Sequence, residues 1–179
     1  MNSDFYDHPA LYDALLPVRA HLPYYAELAR QASGDILELA CGTGQLTVPL
    51  AGAGLRIAGL ELSEPMLRTA RERAAAAKVS VEFVPGDMRN FSMGREFALI
   101  FIARNSLLHL HSTEDILATL AMVRGHLAPG GSSRSTSSIR MFGCLRGLQA
   151  SAFPFFKRKR KRSARFRSRK QPTMILPRR

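Results

Sequence analysis

Apolar residues recur at spacings of three and four over residues 8–32, at Leu11, Ala14, Leu15, Val18, Leu22, Tyr25, Leu28 and Ala29, which predicts helix. Pro17 and Pro23 interrupt it, and Gly34 closes this helical arm. The period then changes. Asp35 to Ala40 is a short apolar run ending in Cys41-Gly-Thr-Gly44, and a helical stretch from Gln45 to Ala53 follows, so the reading is strand, glycine turn, helix. Leu55 to Leu60 predicts a second strand, its end marked by Glu61. Ser63 is placed to cap the next helix, Pro65 suits its first turn, and Arg68 to Lys78 is rich in helix formers. Val79 to Val84 predicts a third strand and Pro85-Gly-Asp87 a turn. The run Phe97 to Ala103 reads as a strand buried on both faces, as parallel sheets require. Ser112-Thr-Glu-Asp115 has the form of a capping box. The helix it opens carries Ile116, Leu117, Leu120, Val123 and Leu127 on one stripe and stops at Ala128-Pro-Gly-Gly131.

Strands alternating with helices of these lengths predict an α/β domain with a mainly parallel sheet and right-handed crossovers. At 46% hydrophobic and 22% charged, the 179 residues have the balance of one soluble globular domain. No apolar run approaches the roughly 20 residues of a bilayer span, and the polar start Met1-Asn-Ser-Asp4 is no signal peptide, so a cytoplasmic address is expected. Cys41 and Cys144 make neither a disulfide framework nor a metal-ligand cluster. The formal charge of +12 is unevenly spread. All 14 acidic residues lie within 1–131, whereas 132–179 hold none and carry more than half of the 26 Lys and Arg, including the block Lys157 to Arg162. The chain therefore divides into an acidic head and a basic tail.

In open α/β sheets ligands bind beyond the carboxyl ends of the strands, which directs attention to Glu38–Gly44, Glu61, Asp87 and Arg104–His109. Glycines at 42 and 44 permit a sharp turn and close backbone approach to a ligand. A Gly-x-Gly after a strand also occurs where a turn merely packs helix on strand. Glu61 adds weight, because a carboxylate at the end of the second strand can accept both hydroxyls of a ribose. The position of a third dinucleotide-type glycine is Thr47, which argues against a nicotinamide enzyme. His109 and His111 are available as general bases, although a histidine in a loop before a helix is more often structural. Cys41, inside the glycine turn, reads as a small buried hydrophobe.

Glu38-Leu-Ala-Cys-Gly-Thr-Gly44, Gly59-Leu-Glu61-Leu-Ser, Pro85-Gly-Asp87-Met88 and Leu127-Ala-Pro-Gly-Gly131 resemble, in order and spacing, the motifs of class I S-adenosylmethionine-dependent methyltransferases. The resemblance covers roughly residues 5–131. Asn105-Ser-Leu-Leu-His-Leu110, with Tyr6, Tyr12 and Tyr24-Tyr25 in the arm, resembles methyltransferase-domain proteins that act on small molecules. It implies a Rossmann-like fold with helices on both faces, S-adenosyl-L-methionine as cofactor and a small-molecule methyl acceptor. It places Glu38 near the methionine amino group, with Gly42 and Gly44 against the amino-acid portion. It puts Glu61 at the ribose, Asp87 at the adenine amino group, Met88 as backbone donor and apolar cover, and Arg104 or Asn105 near the methyl donor, with Ala40 and Leu62 also among the cofactor-binding residues. No Asn/Asp-Pro-Pro-Tyr sequence follows the fourth strand, so the usual pointer to nucleic-acid amino groups is absent.

After Gly131 the family pattern requires a fifth strand, but the chain continues Ser-Ser-Arg-Ser-Thr-Ser-Ser-Ile-Arg140. Three readings follow for the tail: a nucleic-acid-binding arm, a solvated disordered extension or targeting signal, or out-of-frame translation from near Gly131. The last is favoured, since an alternative frame can encode an apolar segment resembling the missing strand. The expected organisation is an arm over 1–33, a cofactor domain over 34–131 and an atypical basic tail over 132–179. A fold incomplete at this end would leave Phe97–Ala103 as an unpaired edge and weaken or abolish activity.

Overall fold

The computed structural model describes residues 5–136. In the arm, α1 spans Pro9–Leu15 and α2 spans Leu22–Arg30. The gap between them holds Pro17, and Pro23 sits in the first turn of α2, where its missing N–H costs nothing. The sheet strands are β1 (Ile36–Leu39), β2 (Ile57–Glu61), β3 (Glu82–Pro85), β4 (Phe97–Ile102) and β5 (Leu127–Ser135). Between them lie α3 (Thr47–Gly52), α4 (Glu64–Ala76) and α5 (Thr113–Gly125). The strand order is β3-β2-β1-β4-β5 and every pairing is parallel, so the carboxyl ends of all five strands share one rim.

The two helix caps read from the sequence form as expected. The Ser63 hydroxyl accepts the Met66 N–H at the start of α4, and the Ser112 hydroxyl accepts the Asp115 N–H at the start of α5. The Asp115 carboxylate goes to Arg89. Other boundaries differ. The helix after the glycine turn begins at Thr47, and the Gln45 side chain bonds Asp13 and the Val18 N–H. The third strand starts at Glu82 and not at Val79. The stripe helix ends at Gly125, and Leu127 to Gly131 belong to a strand.

That strand corrects the expectation of a missing fifth member. Leu99, Ile100, Phe101 and Ile102 pair with Ser132, Ser133, Arg134 and Ser135, with an irregularity between Phe97 and Leu99. β4 is consequently interior, paired with β1 on one side and β5 on the other, so the open edge expected to impair activity does not form there. A parallel ladder needs only backbone donors and acceptors, and polar side chains do not prevent it. Gly131 is required at the entry: a Cβ there would lie 2.9 Å from the Phe97 carbonyl oxygen and 2.8 Å from that of Ala128. Beyond β5, the Thr136 N–H donates to the Ile102 carbonyl at 3.2 Å. The sheet thus extends past the expected boundary at Gly131. The basic block and the remaining tail readings lie outside the described residues.

β1 and β4 are buried nearly throughout, as strands between two helical layers must be. The arm shares this core. Val18, Tyr25 and Ala29 pack with Ile36, Leu50, Leu99 and Phe101, and the Tyr25 ring lies 5.1 Å from that of Phe101. Among the described residues no helix is long and apolar enough to cross a membrane.

Candidate functional site

A cavity of about 580 Å3 opens on the carboxyl rim of β1, β2 and β3. Its floor is Ala40, Gly42 and Leu60; its walls include Glu61, Leu62, Asp87 and Met88; Tyr6 and Tyr12 of the arm and His109 and His111 complete it. Each strand delivers its residues for the same reason, since a parallel sheet aligns the strand ends and the chain turns away there into a helix or loop.

The β1 end is the most constrained part. Ala40 has φ of 55°, Gly42 of 56° and Gly44 of 72°. Gly42 meets this demand without strain, whereas Ala40 holds a left-handed backbone at some cost. The turn is pinned from β2: one Glu61 oxygen accepts the Gly42 N–H at 2.9 Å, and the other accepts the N–H groups of Leu62 and Ser63 at 2.9 and 3.0 Å. Glu61 thus joins the glycine turn to the start of α4.

Glu38, inside β1, is only 2% exposed and accepts the Thr47 hydroxyl and N–H at the start of α3. Burial pushes its carboxyl up to about 8; the Thr47 bonds oppose that rise and the nearby Glu61 charge adds to it. Asp87 contrasts with it. The Arg89 side chain donates to both Asp87 oxygens and holds that carboxyl below its ordinary value. Arg89 also reaches Asp115 at 3.0 Å, fixing the loop after β3 to α5. Burial raises the Tyr12 hydroxyl above its usual range, against the opposing charge of Arg104, so it stays protonated at neutral pH.

The expected site residues do not all come together. Ala40, Gly42, Glu61, Leu62, Asp87 and Met88 line the large cavity. Glu38 and Arg104 instead line a second space of about 20 Å3 that shares Tyr12, Ala40 and Ser106 with the first. Gly44 faces neither; a Cβ there would meet Ala70 and Val48 at 3.2 Å, so it serves close packing of the turn on α4. Asn105 is exposed and starts the short turn Ser106–His109. Arg104, with φ of 58°, aims its guanidinium at the Leu16 carbonyl of the arm at 2.7 Å. Asp7, Glu64 and Pro65 join the cavity wall without having been singled out for it. Glu64 and Pro65 lie within four residues of the strand end at Glu61, a signal that could have found them. The Tyr6 hydroxyl and His109 Nε2, 103 positions apart, are 2.7 Å from each other.

The charge of the lining is one-sided. Asp7, Glu61, Glu64 and Asp87 face the cavity, and no Lys or Arg does so among the described residues.

A methyltransferase-domain family model matches residues 36–131, more than half of the chain, and the chain belongs to that family. The dTDP-3-amino-3,4,6-trideoxy-alpha-D-glucopyranose N,N-dimethyltransferase of Streptomyces venezuelae is 35% identical over 133 residues, covering 70% of this chain and 54% of its own length. The cypemycin N-terminal methyltransferase of a Streptomyces species is 31% identical over 134 residues, covering 72% and 54%. The crystal structure of the glycopeptide N-methyltransferase MtfA with S-adenosyl-L-methionine is similar at a TM-score of 0.59 and 33% identity, over 64% of this chain and 52% of that one. The fold is therefore the Rossmann-like methyltransferase fold. The chain spans about half the length of these relatives.

Proposed function

We propose that this chain carries the cofactor-binding part of an S-adenosylmethionine-dependent methyltransferase acting on an amino group of a small molecule. The observation that supports it most is the cavity lined by four carboxylates and, among the described residues, by no Lys or Arg. A pyrophosphate would be repelled there, whereas a sulfonium with donor-rich ribose and adenine ends suits carboxylates and apolar walls. The volume of about 580 Å3 is of the size that small cofactors fill.

When bound, the cofactor supplies an electrophilic methyl group carried on a sulfonium. The residues of the chain do the rest. Glu61 presents a carboxylate already oriented by three N–H donors, suited to ribose hydroxyls. Asp87, kept ionised by Arg89, is suited to the amino group of adenine, with Met88 as apolar cover. Gly42 lets the backbone approach, and Glu38 lies behind it as a buried acid. Tyr6 fixes His109 on the cavity wall, where the imidazole can take the proton that an acceptor amine releases. Alignment of donor and acceptor supplies most of the rate. The names of the relatives cited above, which are N-methyltransferases by description, support nitrogen as the acceptor atom. Nucleic-acid binding through the basic tail rests on residues outside those described and gains nothing from these relatives.

Calorimetry with S-adenosylhomocysteine tests the reading. The full chain is expected to bind it, and Glu61→Ala to weaken binding about a hundredfold, from loss of charged hydrogen bonds. Absence of heat from the wild-type chain, or binding indifferent to Glu61, would overturn it.

A further inference from the structure

The helical arm meets the glycine turn largely through one carboxylate. Asp13 of α1 accepts the Thr43 hydroxyl and the Gln45 side-chain amide at its Oδ1, each at 2.6 Å, while its Oδ2 pairs with Arg73 of α4. Arg73 also donates to the Thr43 hydroxyl at 3.2 Å. Gln45 accepts the Val18 N–H at 2.9 Å, and both Gln45 and Arg104 donate to the Leu16 carbonyl at the end of α1. The Asp13 and Arg73 side chains are 25% and 29% exposed, so their pairing is less screened than a surface ion pair.

None of Asp13, Thr43, Gln45, Arg73 or Arg104 lines the large cavity. The sequence neighbours of Asp13 and Thr43 do. Tyr12 precedes Asp13, Gly42 precedes Thr43, and the Tyr12 ring lies 3.7 Å from where a Gly42 Cβ would stand. The cluster therefore holds the two residues that form the roof and floor of one end of the cavity, and it does so from outside.

We propose that Asp13 is a positioning residue: with Arg73 it latches α1 across the glycine turn and thereby sets how fast the cofactor leaves. This rests on the cofactor reading above. The latch acts on exchange because the Asp13 bonds hold the backbone that carries Tyr12 against the glycine turn. Arg19, exposed between α1 and α2, offers a protease site that reports on the same opening.

The test measures the release rate of S-adenosylhomocysteine from the full chain by competition in stopped flow. Asp13→Asn and Arg73→Met are each expected to speed release about tenfold, and the double variant no more than the faster single, because both remove one shared charged interaction. Arg68→Met, on the exposed face of α4, is expected to leave the rate unchanged. Thr43→Val, which deletes one hydroxyl, provides a milder probe should either charge variant fold poorly, with an expected rise of about threefold. Release rates within about twofold of wild type in all three, or single effects that multiply in the double variant, would overturn the proposal. A wild-type chain that binds no S-adenosylhomocysteine would defeat the cofactor reading alone. Trypsin cleavage after Arg19 then decides the latch: faster cutting in Asp13→Asn than in wild type supports it, and equal cutting overturns it.

Discussion

The two flanks of the sheet are built on different terms. On one side β1 and β2 bury Ile36, Leu37, Leu39, Ile57, Ala58 and Leu60, and the end of β2 carries Glu61 into the cavity. On the other, β5 offers Ser132, Ser133, Arg134 and Ser135, half-buried or exposed, against the fully apolar β4. The first flank is held by side-chain burial. The second is held by its backbone ladder and by a polar tie at its end. There the Thr136 hydroxyl bonds the Tyr25 hydroxyl at 2.6 Å and accepts the Arg104 N–H at 2.7 Å. A strand can thus be recruited without an apolar pattern where neighbours supply the donors and acceptors that its main chain needs.

The largest effect that separates the flanks is one of pH. Glu38 has an ordinary value of 4.5 and is pushed to about 8 by burial in the fold. The folded chain keeps a proton that the unfolded chain gives up, so this contribution is complete below about pH 4.5 and disappears as pH rises through about 8. Urea unfolding between pH 5 and 9 should show stability falling by several kcal/mol, and Glu38→Gln should flatten the slope. A wild-type slope unchanged in Glu38→Gln would place the buried acid elsewhere.

Thr136→Val comes next. It removes the partner shared by the Tyr25 hydroxyl and the Arg104 N–H, which keep their own bond at 3.3 Å, at an expected cost of about 1 kcal/mol. Amide exchange should accelerate in β5 and stay near wild type in β1. Equal acceleration in both strands would show that the flanks unfold as one unit. The smallest expected change is Leu117→Gln on α5, beside the β5 flank. Leu117 is 42% exposed, so the cost should stay below about 0.5 kcal/mol in the same unfolding assay. The equivalent change at Leu67 of α4, which is fully buried, should cost several times more.

These differences also account for what the amino-acid order made legible. The apolar run Phe97–Ala103, the serine caps at 63 and 112 and the glycine turn are local signals, and each takes the form its residues imply. β5 was not legible, because its pairing with β4 is specified by main-chain groups that every sequence carries. Six of the ten expected site residues line the large cavity, since strand ends in a parallel sheet converge by construction. Arg104 faces the arm instead: its left-handed backbone and its bond to Leu16 depend on a segment 88 positions away. The Tyr6–His109 pair and the Asp13 cluster are hidden for the same reason, being contacts over long separations between residue types that are common on any surface.

Ala40 and Arg104 follow the ends of the two adjacent central strands, and both adopt a backbone that glycine alone accepts freely. A selection for heat resistance in this chain would be drawn to those positions, where glycine would relieve about 1 kcal/mol each. At Arg104 glycine would also delete the guanidinium that grips Leu16, at a cost larger than the relief, so such a selection should settle on Ala40 and spare Arg104.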